Sequence, residues 1–360
     1  MLSLYSKTSY HYKNYKLQKK KVCIMNPMVS VLMCNYNTNK AFLKEAIESI
    51  LSQTFQDFEF IIVDDGSTDD SLAYIKEFKD DRIRILENKT NRGHAGALNV
   101  GIQAAKGKYI ARMDSDDISL PTRLEKQVAF MEANEGVIVS GTWFCRFDHR
   151  QKDICHRIRN MDEYRIHLLF SNIPAVNHTS AMYRADVFRK YNIKYRENYF
   201  SAEDYRLWVD ASKYGDFKII EEVLVRYRVH PNSMTVAGST TMNAFVKKCY
   251  AEQLSKLHVE LDDEAFMIHR MFLRKKDGYS DASKKWMKLL IKQNEIYDVY
   301  NKKLFKKMLT RGWMIKCIKA YKQAQGKEKI KIVITMFPEI IPWLFYKEKE
   351  NYVERREMRN

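Results

Sequence analysis

Short apolar runs alternate with segments of helical character between residues 29 and 113. The runs 29–34, 58–63, 82–87 and 108–113 are typical of buried strands, and the segments 40–52, 69–79 and 96–105 are typical of helices. Ser67 or Thr68 is expected to cap the second helix. Such alternation predicts an α/β fold with a mainly parallel central sheet, which binds ligands at the carboxyl ends of its strands.

The regular alternation ends near residue 120, and a less regular half follows. We expect helices over 123–134, 162–170 and 205–214, strands over 137–147 and 217–229, and lysine-rich amphipathic helices from about 241. These patterns divide the chain into a disordered basic arm, 1–27, an α/β domain, 28–240, and a basic helical extension, 241–360. Met25 and Met28 are both candidate natural starts, because the first convincing strand begins at Val29.

The net charge of +17 is distributed unevenly along the chain. Residues 1–28 carry six lysines and no acid, and residues 241–360 carry 27 basic against 15 acidic side chains, so the two ends contribute +6 and +12. The middle is therefore close to neutral, at −1. Basic flanks attract nucleic acid or an anionic membrane surface, although a merely lysine-rich surface has the same composition.

Simple counts disfavour several classes of protein. The six cysteines form no Cys-x-x-Cys pair, which disfavours a zinc site and a disulfide framework. The N-terminus lacks the apolar core of a signal peptide, and no run of about 18 apolar residues is present for a spanning helix. Residues 330–346 are apolar but interrupted, which suits a membrane interface or a packed helix. We therefore expect a cytoplasmic protein with reduced thiols, and peripheral attachment to the inner face of the cell membrane fits its basic ends.

Polar side chains follow three of the predicted strands, at the point where each strand ends. They are Asn35 and Asn37, Asp64 and Asp65, and Asp114 and Asp116. Parallel strands place their carboxyl ends at one edge of a sheet, so these side chains should converge. Several buried carboxylates are costly unless a positive group compensates them. Their oxygen atoms suit Mg²⁺ or Mn²⁺ shared with substrate phosphates, whereas a capped, Asp-rich turn is the structural alternative.

Six motifs occur in an order that resembles glycosyltransferase family 2, the large inverting family with the GT-A fold. They are VSVLMCNYN at 29–37, IIVDDGSTD at 61–69, NRGHAGALNVG at 91–101, GKYIARMDSDD at 107–117, AEDYRLW at 202–208 and YRVHPNS at 227–233. The resemblance covers residues 27–236 and leaves both terminal extensions outside. It implies a GT-A domain, a nucleoside-diphosphate sugar donor and a divalent cofactor, Mn²⁺ or Mg²⁺.

The resemblance also implies roles for individual residues of the donor site. The nucleotide contacts would come from Asn35, Tyr36, Asn37, Asp64, Asp65, Arg92, Asn99, Asp114 and Arg228. Asp65 matches the aspartate that accepts a hydrogen bond from the uracil N–H, and Arg92 is suited to pair with phosphate. Asp116 would coordinate the metal that bridges the diphosphate, with His230 as a further ligand. Asp117 is expected to cap the following turn.

The same resemblance implies that Glu203 and Asp204 carry the chemistry at the start of a predicted helix. Asp204 would be the general base that removes a proton from the acceptor hydroxyl, and Glu203 would contact the acceptor or the donor sugar. The structural alternative is that both carboxylates complement the dipole at the helix N-terminus. His178 and Trp143 are candidates for the acceptor site, the latter by stacking on a sugar face.

The leading hypothesis is therefore an inverting, metal-dependent glycosyltransferase in cell-surface polysaccharide synthesis. It would move a sugar from a nucleoside-diphosphate sugar, expected to be a UDP-sugar, to a glycan or lipid-linked acceptor. One alternative is a sugar-nucleotide nucleotidyltransferase, but residues 35–39 lack the glycine-rich, basic signature of that class. The other is a basic nucleic-acid-binding protein, which the near-neutral middle opposes, so we expect no nucleic-acid partner. The sequence does not determine the donor sugar or the oligomeric state.

Overall fold

The computed structural model describes residues 26–147, 152–153, 160–170, 176–230, 239–272, 280–336 and 338. The arm that we expect to be disordered lies outside the described residues, except for 26 and 27. Most of the apolar stretch after 336 lies outside them as well. Within the described part, one nine-stranded sheet carries the fold.

Four parallel strands form the first half of the sheet, in the spatial order β3–β2–β1–β4. They are β1 (Val29–Asn35), β2 (Phe58–Asp64), β3 (Ile83–Glu87) and β4 (Tyr109–Asp114). The connecting helices are α1 (Lys40–Leu51), α2 (Ser71–Ile75) and α3 (Gly93–Ala104). The predicted alternation is confirmed, because a helix lies between each pair of consecutive parallel strands.

The second helix is shorter than predicted, and neither Ser67 nor Thr68 caps it. The helix begins after Asp70, whose side chain makes no capping hydrogen bond. The two hydroxyls are used elsewhere, since Ser67 Oγ donates to Asp64 Oδ1 at 2.6 Å and Thr68 Oγ1 accepts from Asn37 Nδ2 at 3.2 Å. The first bond ties the loop after β2 to the end of its own strand, and the second joins it to the loop after β1, so both hydroxyls have partners other than the helix.

The second half of the sheet is mixed. The strand β8 (Met182–Arg184) pairs antiparallel with β4 and with β6 (Val137–Arg146), and β6 pairs parallel with the long β9 (Asp216–Tyr227). Two short strands, β5 (Ile118–Ser119) and β7 (Lys152–Asp153), pair antiparallel with β9 and β6. The β5–β9 pair brings the turn after β4 beside the end of β9.

Side chains alternate along the parallel strands and divide the core between the two faces of the sheet. The helices that follow β5 in this half are α4 (Arg123–Ala133), α5 (Met161–Phe170), α6 (Ala185–Lys190) and α7 (Glu203–Ala211). Leu32 and Ile61 pack with α3 and α7, whereas Val31 and Phe60 pack with α1 and α4. All four side chains are fully buried, which is characteristic of parallel strands covered on both faces.

The residues after 238 form helices that share a third core with α5. They are Ser239–Leu254, Asp263–Phe272, Asp281–Tyr297 and Lys302–Gln323, followed by a helical stretch over 326–336. Ile166, Leu169 and Phe170 of α5 pack in one cluster with Leu309 and Trp313. The domain boundary at 240 stays a prediction, and apolar packing crosses it. Among the helices that the structure describes, none has the length and apolar character needed to cross a membrane.

Candidate active site

The carboxyl ends of β1, β2 and β4 lie side by side, as the polar residues at these positions predict. Asn35 is the partner of Asp64 between β1 and β2, and Cys34 is the partner of Asp114 between β1 and β4. The turn after β4 adds Asp116 at the same edge. This edge of the sheet is the frame of the candidate site.

Asn35 and Asp64 build the loop beneath the site. Asn35 Nδ2 donates to Asp64 Oδ1 at 2.7 Å and lies 3.0 Å from the Oγ atoms of Ser67 and Ser71. Asp64 also accepts from the Ser67 backbone N–H at 3.1 Å. The two side chains are only 0% and 1% exposed and organise the loop from inside, and their contacts with a nucleotide stay predictions.

Tyr36 and Asn37 follow β1 at the surface. Tyr36 is 48% exposed, which leaves its ring accessible to a ligand. Asn37 has a left-handed backbone, with φ of 52°, a conformation that asparagine tolerates better than most residues. Its Oδ1 accepts from the Thr68 backbone N–H at 2.8 Å and ties this loop to the next. Their contacts with a nucleotide stay predictions.

Asp65 joins the end of β2 to the start of α3. Its Oδ1 accepts from Asn88 Nδ2 at 2.7 Å and from the Arg92 backbone N–H at 3.0 Å. Gly66 follows with φ of 72°, and a Cβ there would lie 2.9 Å from the backbone N of Asn91. Only glycine fits this close approach, which holds the two loops together.

The buried guanidinium of Arg112 neutralises the charge of the Asp114 carboxylate. The two residues are separated by one position in β4 and share a face, and the guanidinium forms an ion pair with both carboxylate oxygens. The Arg112 side chain is 2% exposed, and Asp114 raises its pKa although burial alone would lower it. Arg112 Nη2 lies 2.9 Å from His94 Nε2, so this imidazole accepts there and carries its proton on Nδ1. Burial and the nearby Arg112 lower the pKa of His94 to about 4.

Asp116 and Asp117 have different partners. Asp116 Oδ2 lies 2.9 Å from His230 Nε2. Asp117 is fully buried, and its Oδ1 accepts from the Arg228 backbone N–H at 2.8 Å. The expected cap of the following turn is therefore wrong, because the carboxylate anchors the chain after β9 instead. Burial, followed by repulsion from Asp114, raises the pKa of both carboxyls.

Arg228 holds the acidic turn against the end of β9. Its Nε donates to the Asp116 carbonyl at 2.7 Å, and its guanidinium forms an ion pair with Glu45. The guanidinium carbon lies 4.1 Å from the ring centre of Phe42 and 3.8 Å from that of Phe147. These contacts give Arg228 a structural role, and its contact with phosphate stays a prediction.

Asp114, Asp116 and Asp117 are able to hold a metal ion. Each offers one carboxylate oxygen, and these oxygens lie within 4.8 Å of one another. An all-oxygen carboxylate set matches the preference of Mg²⁺ and Mn²⁺. A cation would also reverse the mutual repulsion that raises the pKa of Asp116 and Asp117. The donor set therefore fits the divalent cofactor that the sequence predicts.

Glu203 and Asp204 form the first turn of α7. Glu203 is 7% exposed, and its buried Oε2 lacks a hydrogen-bond partner within the described part of the chain. Burial and then the charge of Asp204 raise the pKa of Glu203 to about 7. Burial also raises the pKa of Asp204, whose Oδ1 accepts from the Tyr205 backbone N–H at 2.6 Å. Two carboxyls with raised pKa values at one helix end are suited to acid–base chemistry.

A small open cleft, with a cavity volume of about 30 Å³, lies beside this helix end. Its lining residues are Arg92, Gly93, His94, Ala95, Glu197, Phe200 and Glu203. The Arg92 guanidinium, half exposed, lies 3.7 Å from the Glu197 carboxylate. Glu203 of α7 belongs to the lining itself. The strand ends lie behind the opposite wall, because Asp65 binds the Arg92 backbone and Arg112 binds both His94 and Asp114.

Three other predicted site residues make internal contacts. The Asn99 amide donates to the Tyr195 carbonyl at 2.8 Å and accepts from its N–H at 3.0 Å, which is a structural role. His178 Nε2 lies 2.5 Å from the Tyr195 hydroxyl, and its ring contacts that of Trp208 edge-on. Trp143 lies on β6 with its indole N–H buried. The roles of Asn99 at the nucleotide and of His178 and Trp143 at the acceptor stay predictions.

Arg112, Glu197 and Phe200 were not predicted from the sequence as site residues. Arg112 could have been found, because a side chain two positions before Asp114 in a strand shares its face. Glu197 and Phe200 carry no comparable signal, since the segment that contains them meets α3 only in the folded chain.

Comparison with known proteins identifies the family. The family described as Glycosyl transferase family 2 matches residues 30–192. An uncharacterized glycosyltransferase of Haemophilus influenzae is 34% identical over 240 residues, which span 64% of this chain and 74% of that protein. The chain belongs to glycosyl transferase family 2. Its membership decides in favour of a glycosyltransferase and against the nucleotidyltransferase and nucleic-acid-binding alternatives.

Two further relatives of this glycosyltransferase are informative. WfaP of Escherichia coli, a UDP-Glc:alpha-D-GlcNAc-diphosphoundecaprenol beta-1,3-glucosyltransferase, is 32% identical over 227 residues, which span 61% of this chain and 81% of WfaP. The crystal structure of S. aureus TarS 1-349 in complex with UDP-GlcNAc matches with a TM-score of 0.54 and 15% identity, over 84% of this chain and 93% of that one. The TarS likeness concerns the fold alone, and it confirms the predicted GT-A fold.

Proposed function

We propose that this glycosyltransferase moves a sugar from a UDP-sugar to a hydroxyl of a lipid-linked glycan, with inversion at the anomeric carbon, in cell-surface polysaccharide synthesis. The observation that carries the proposal is one cleft that Glu203 lines, with its neighbour Asp204 at the same helix end. Two other lining residues, Arg92 and His94, are hydrogen-bonded to Asp65 and Arg112 at the strand ends. The name of WfaP includes a UDP-sugar donor and a diphosphoundecaprenol-linked acceptor, which supports the same two substrate classes.

The donor binds across the carboxyl ends of β1, β2 and β4. Asp65 accepts the N–H of uracil, and the exposed ring of Tyr36 lies against the base. Arg92 exchanges its long contact with Glu197, at 3.7 Å, for the shorter and stronger contact with the diphosphate. Asp114 faces the ribose or the donor sugar, held in place by Arg112. Asn35, Asp64 and Asn99 support this site from inside through their hydrogen bonds to neighbouring segments.

The reaction is a single displacement at the anomeric carbon. Asp204 takes the proton of the acceptor hydroxyl while that oxygen bonds to the anomeric carbon, and the bond to the diphosphate breaks on the opposite side. A raised pKa makes Asp204 a better proton acceptor. Glu203, partly protonated near neutral pH, donates to a sugar hydroxyl. When bound by Asp116 and His230, Mn²⁺ or Mg²⁺ would neutralise charge on the departing diphosphate.

A thermal-shift screen tests the substrate and the cofactor together. The protein is heated with UDP-, dTDP- and GDP-sugars, each with and without Mn²⁺. We expect a Mn²⁺-dependent rise in Tm with one UDP-sugar, because a ligand that binds the folded state stabilises it. Transfer is then measured with that donor and a GlcNAc-diphosphate-lipid acceptor.

The matched controls are two aspartates of similar chemistry. Asp116→Asn should abolish the Mn²⁺-dependent part of the shift, whereas Asp69→Asn, on the exposed loop before α2, should leave it unchanged. A shift that is independent of Mn²⁺, or that GDP-sugars produce equally well, would contradict the proposal.

A further inference from the structure

We propose that the C-terminal helices dock on an anionic lipid membrane. The docking surface, called here the basic–apolar face, consists of the exposed side chains of the helix Lys302–Gln323 and of the helical stretch 326–336. Membrane docking would determine the location of the enzyme, so it goes beyond the transfer reaction and does not depend on the identity of the donor.

The first observation is the charge of this segment. Residues 302–336 contain eleven lysines and arginines and one acidic residue, Glu328, so their net charge is +10. They supply more than half of the total net charge of +17 in 35 of 360 residues. Lys316 is buried and donates to the Met271 carbonyl at 2.7 Å, so it belongs to the core rather than to this surface. Basic side chains near a bilayer are attracted to its anionic headgroups over about a Debye length.

The second observation is an apolar stripe within the basic segment. Ile330, Val333 and Ile334 are 62%, 42% and 67% exposed. Their spacing places them on one side of the helix, whereas Ile332 and Met336 are 2% and 7% exposed and pack in the C-terminal core. The helix has therefore already buried one apolar side, and the second side remains in water at a cost in free energy.

The lysines are placed to act together with the stripe. Lys327 and Lys331 are exposed and fall on the same side of the helix as Ile330 and Ile334. Long lysine side chains are able to keep their charges at the headgroup level while neighbouring aliphatic groups enter the acyl boundary. This combination of an exposed aliphatic stripe and flanking lysines is the chemistry of an interfacial helix.

A lipid surface accounts for both observations better than the other possible occupants. Without the buried Lys316, the net charge of this surface is +9, so a second copy would bring another +9 against the first and the two would repel. Residues 339–360 contain five basic and five acidic residues, so they supply no compensating charge. The phosphates of a nucleic acid would pair with the lysines, but they would leave the three exposed aliphatic side chains without an apolar partner.

Vesicle co-sedimentation tests the proposal with the full chain. One vesicle is phosphatidylcholine alone, and the other contains about one third phosphatidylglycerol, which supplies the anionic surface. We expect binding to the anionic vesicles that falls as salt rises. The triple variant Ile330→Ser, Val333→Ser, Ile334→Ser and the double variant Lys327→Glu, Lys331→Glu should each bind at least about tenfold more weakly, because each removes one of the two sources of attraction.

Matched controls carry the same substitutions elsewhere on the surface. Met267→Ser with Ile296→Ser changes side chains that are 52% and 59% exposed, and Lys106→Glu with Lys190→Glu changes exposed lysines. Both control variants should bind the vesicles like the unmodified protein. An unchanged Tm for every variant excludes unfolding, and vesicle binding without any sugar transfer would count against the proposed function alone.

Three results would overturn the membrane proposal. The first is equal binding of all variants to the anionic vesicles. The second is a mass from light scattering that falls from dimer to monomer in the triple variant without any vesicle binding. The third is salt-sensitive binding to duplex DNA that exceeds binding to the anionic vesicles.

Discussion

At the scale of single residues, the three aspartates between positions 114 and 117 have different partners and therefore different environments. Asp114 forms an ion pair with the buried Arg112, Asp116 contacts His230, and Asp117 accepts a hydrogen bond from the backbone N–H that follows β9. The side chains of Asp114 and Asp116 are 26% and 25% exposed, whereas Asp117 is fully buried. A ligand therefore reaches the first two carboxylates directly, and the third mainly holds the turn.

Two substitutions test the chemical roles of the carboxylates. Asp204→Asn should lower kcat by about 10²–10⁴-fold, because it removes the proton acceptor. Asp116→Ala should abolish metal-dependent transfer. Both variants should keep the circular dichroism spectrum of the unmodified protein, and Asp186→Asn, at an exposed position of α6, is the control for activity. Full activity in either site variant would refute its assignment.

Glu203 should make stability depend on pH. Its pKa in the folded state is about 7, above the ordinary value of 4.5, so folding favours the protonated form. The stability that this preference contributes is present below pH 4.5 and is lost as pH rises through 7. Glu203→Gln imitates the protonated form, so it should unfold like the parent at pH 4.5 and be more stable at pH 8, by at most about 3 kcal/mol.

Urea denaturation at the two pH values measures this difference directly. Glu197→Gln, on the rim of the same cleft and about half exposed, is the control and should show no comparable change. If the difference between Glu203→Gln and the parent is the same at both pH values, Glu203 is not a desolvated carboxyl.

At the scale of elements, the helix that begins with Glu203 is held in place by the C-terminal helices. Arg206 of α7 pairs with Asp210 of the same helix and with Glu252 of the helix Ser239–Leu254. Tyr205 accepts from Gln253 Nε2 at 2.8 Å, also across these two helices. The C-terminal helices thus fix the orientation of the proposed general base.

Removal of one charge from the contact between these two helices should lower kcat more than it changes the KM for the donor. Glu252→Gln weakens the pair with Arg206, and a hydrogen bond to a charged group contributes about 1.5–3 kcal/mol. We expect the lower end of that range because Glu252 is 38% exposed, together with a lower kcat and an unchanged KM for the donor. Glu264→Gln, at an exposed position, is the control. An unchanged kcat would show that α7 does not depend on this contact.

At the scale of the whole molecule, the C-terminal helices are part of the fold rather than an appendage. Ile166 and Leu169 of α5 are fully buried, and Phe170 is 2% exposed, in a core built with the helices after 238. The β-sheet half and the helical half therefore share apolar surface through α5.

Truncation tests this dependence. A chain of residues 26–240 would expose the three α5 side chains, each of which is worth about 1.5–3 kcal/mol when fully buried. The sum is comparable with the total stability of a typical domain, about 5–15 kcal/mol. We expect no cooperative thermal transition in this chain, and a chain of residues 26–360 is the control. A cooperative transition in the shorter chain would instead support an independent domain that ends at 240.

The long strands of the sheet were predicted from the sequence, whereas the short strands β5 and β8, of two and three residues, were not. The strands β1, β2 and β4 are buried on both faces, so each is a continuous apolar run that can be recognised as a strand from the sequence alone. The predicted cap of α2 by Ser67 or Thr68 is wrong, because Ser67 bonds to Asp64 at the end of β2 and Thr68 bonds to Asn37 in the loop after β1. Local capping rules contain no information about such a partner.

The fold class, the family and the acidic residues at the strand ends are all readable from the chain alone, because periodicity and motif order are properties of a linear sequence. The division of roles among those residues is not. Asp116 meets His230 across 114 positions, and Arg206 meets Glu252 across 46. Burial and charge at these contacts determine which carboxyl is neutralised, which is protonated near neutral pH and which only anchors a turn. These are properties of the packed surroundings, which exist only after the chain has folded.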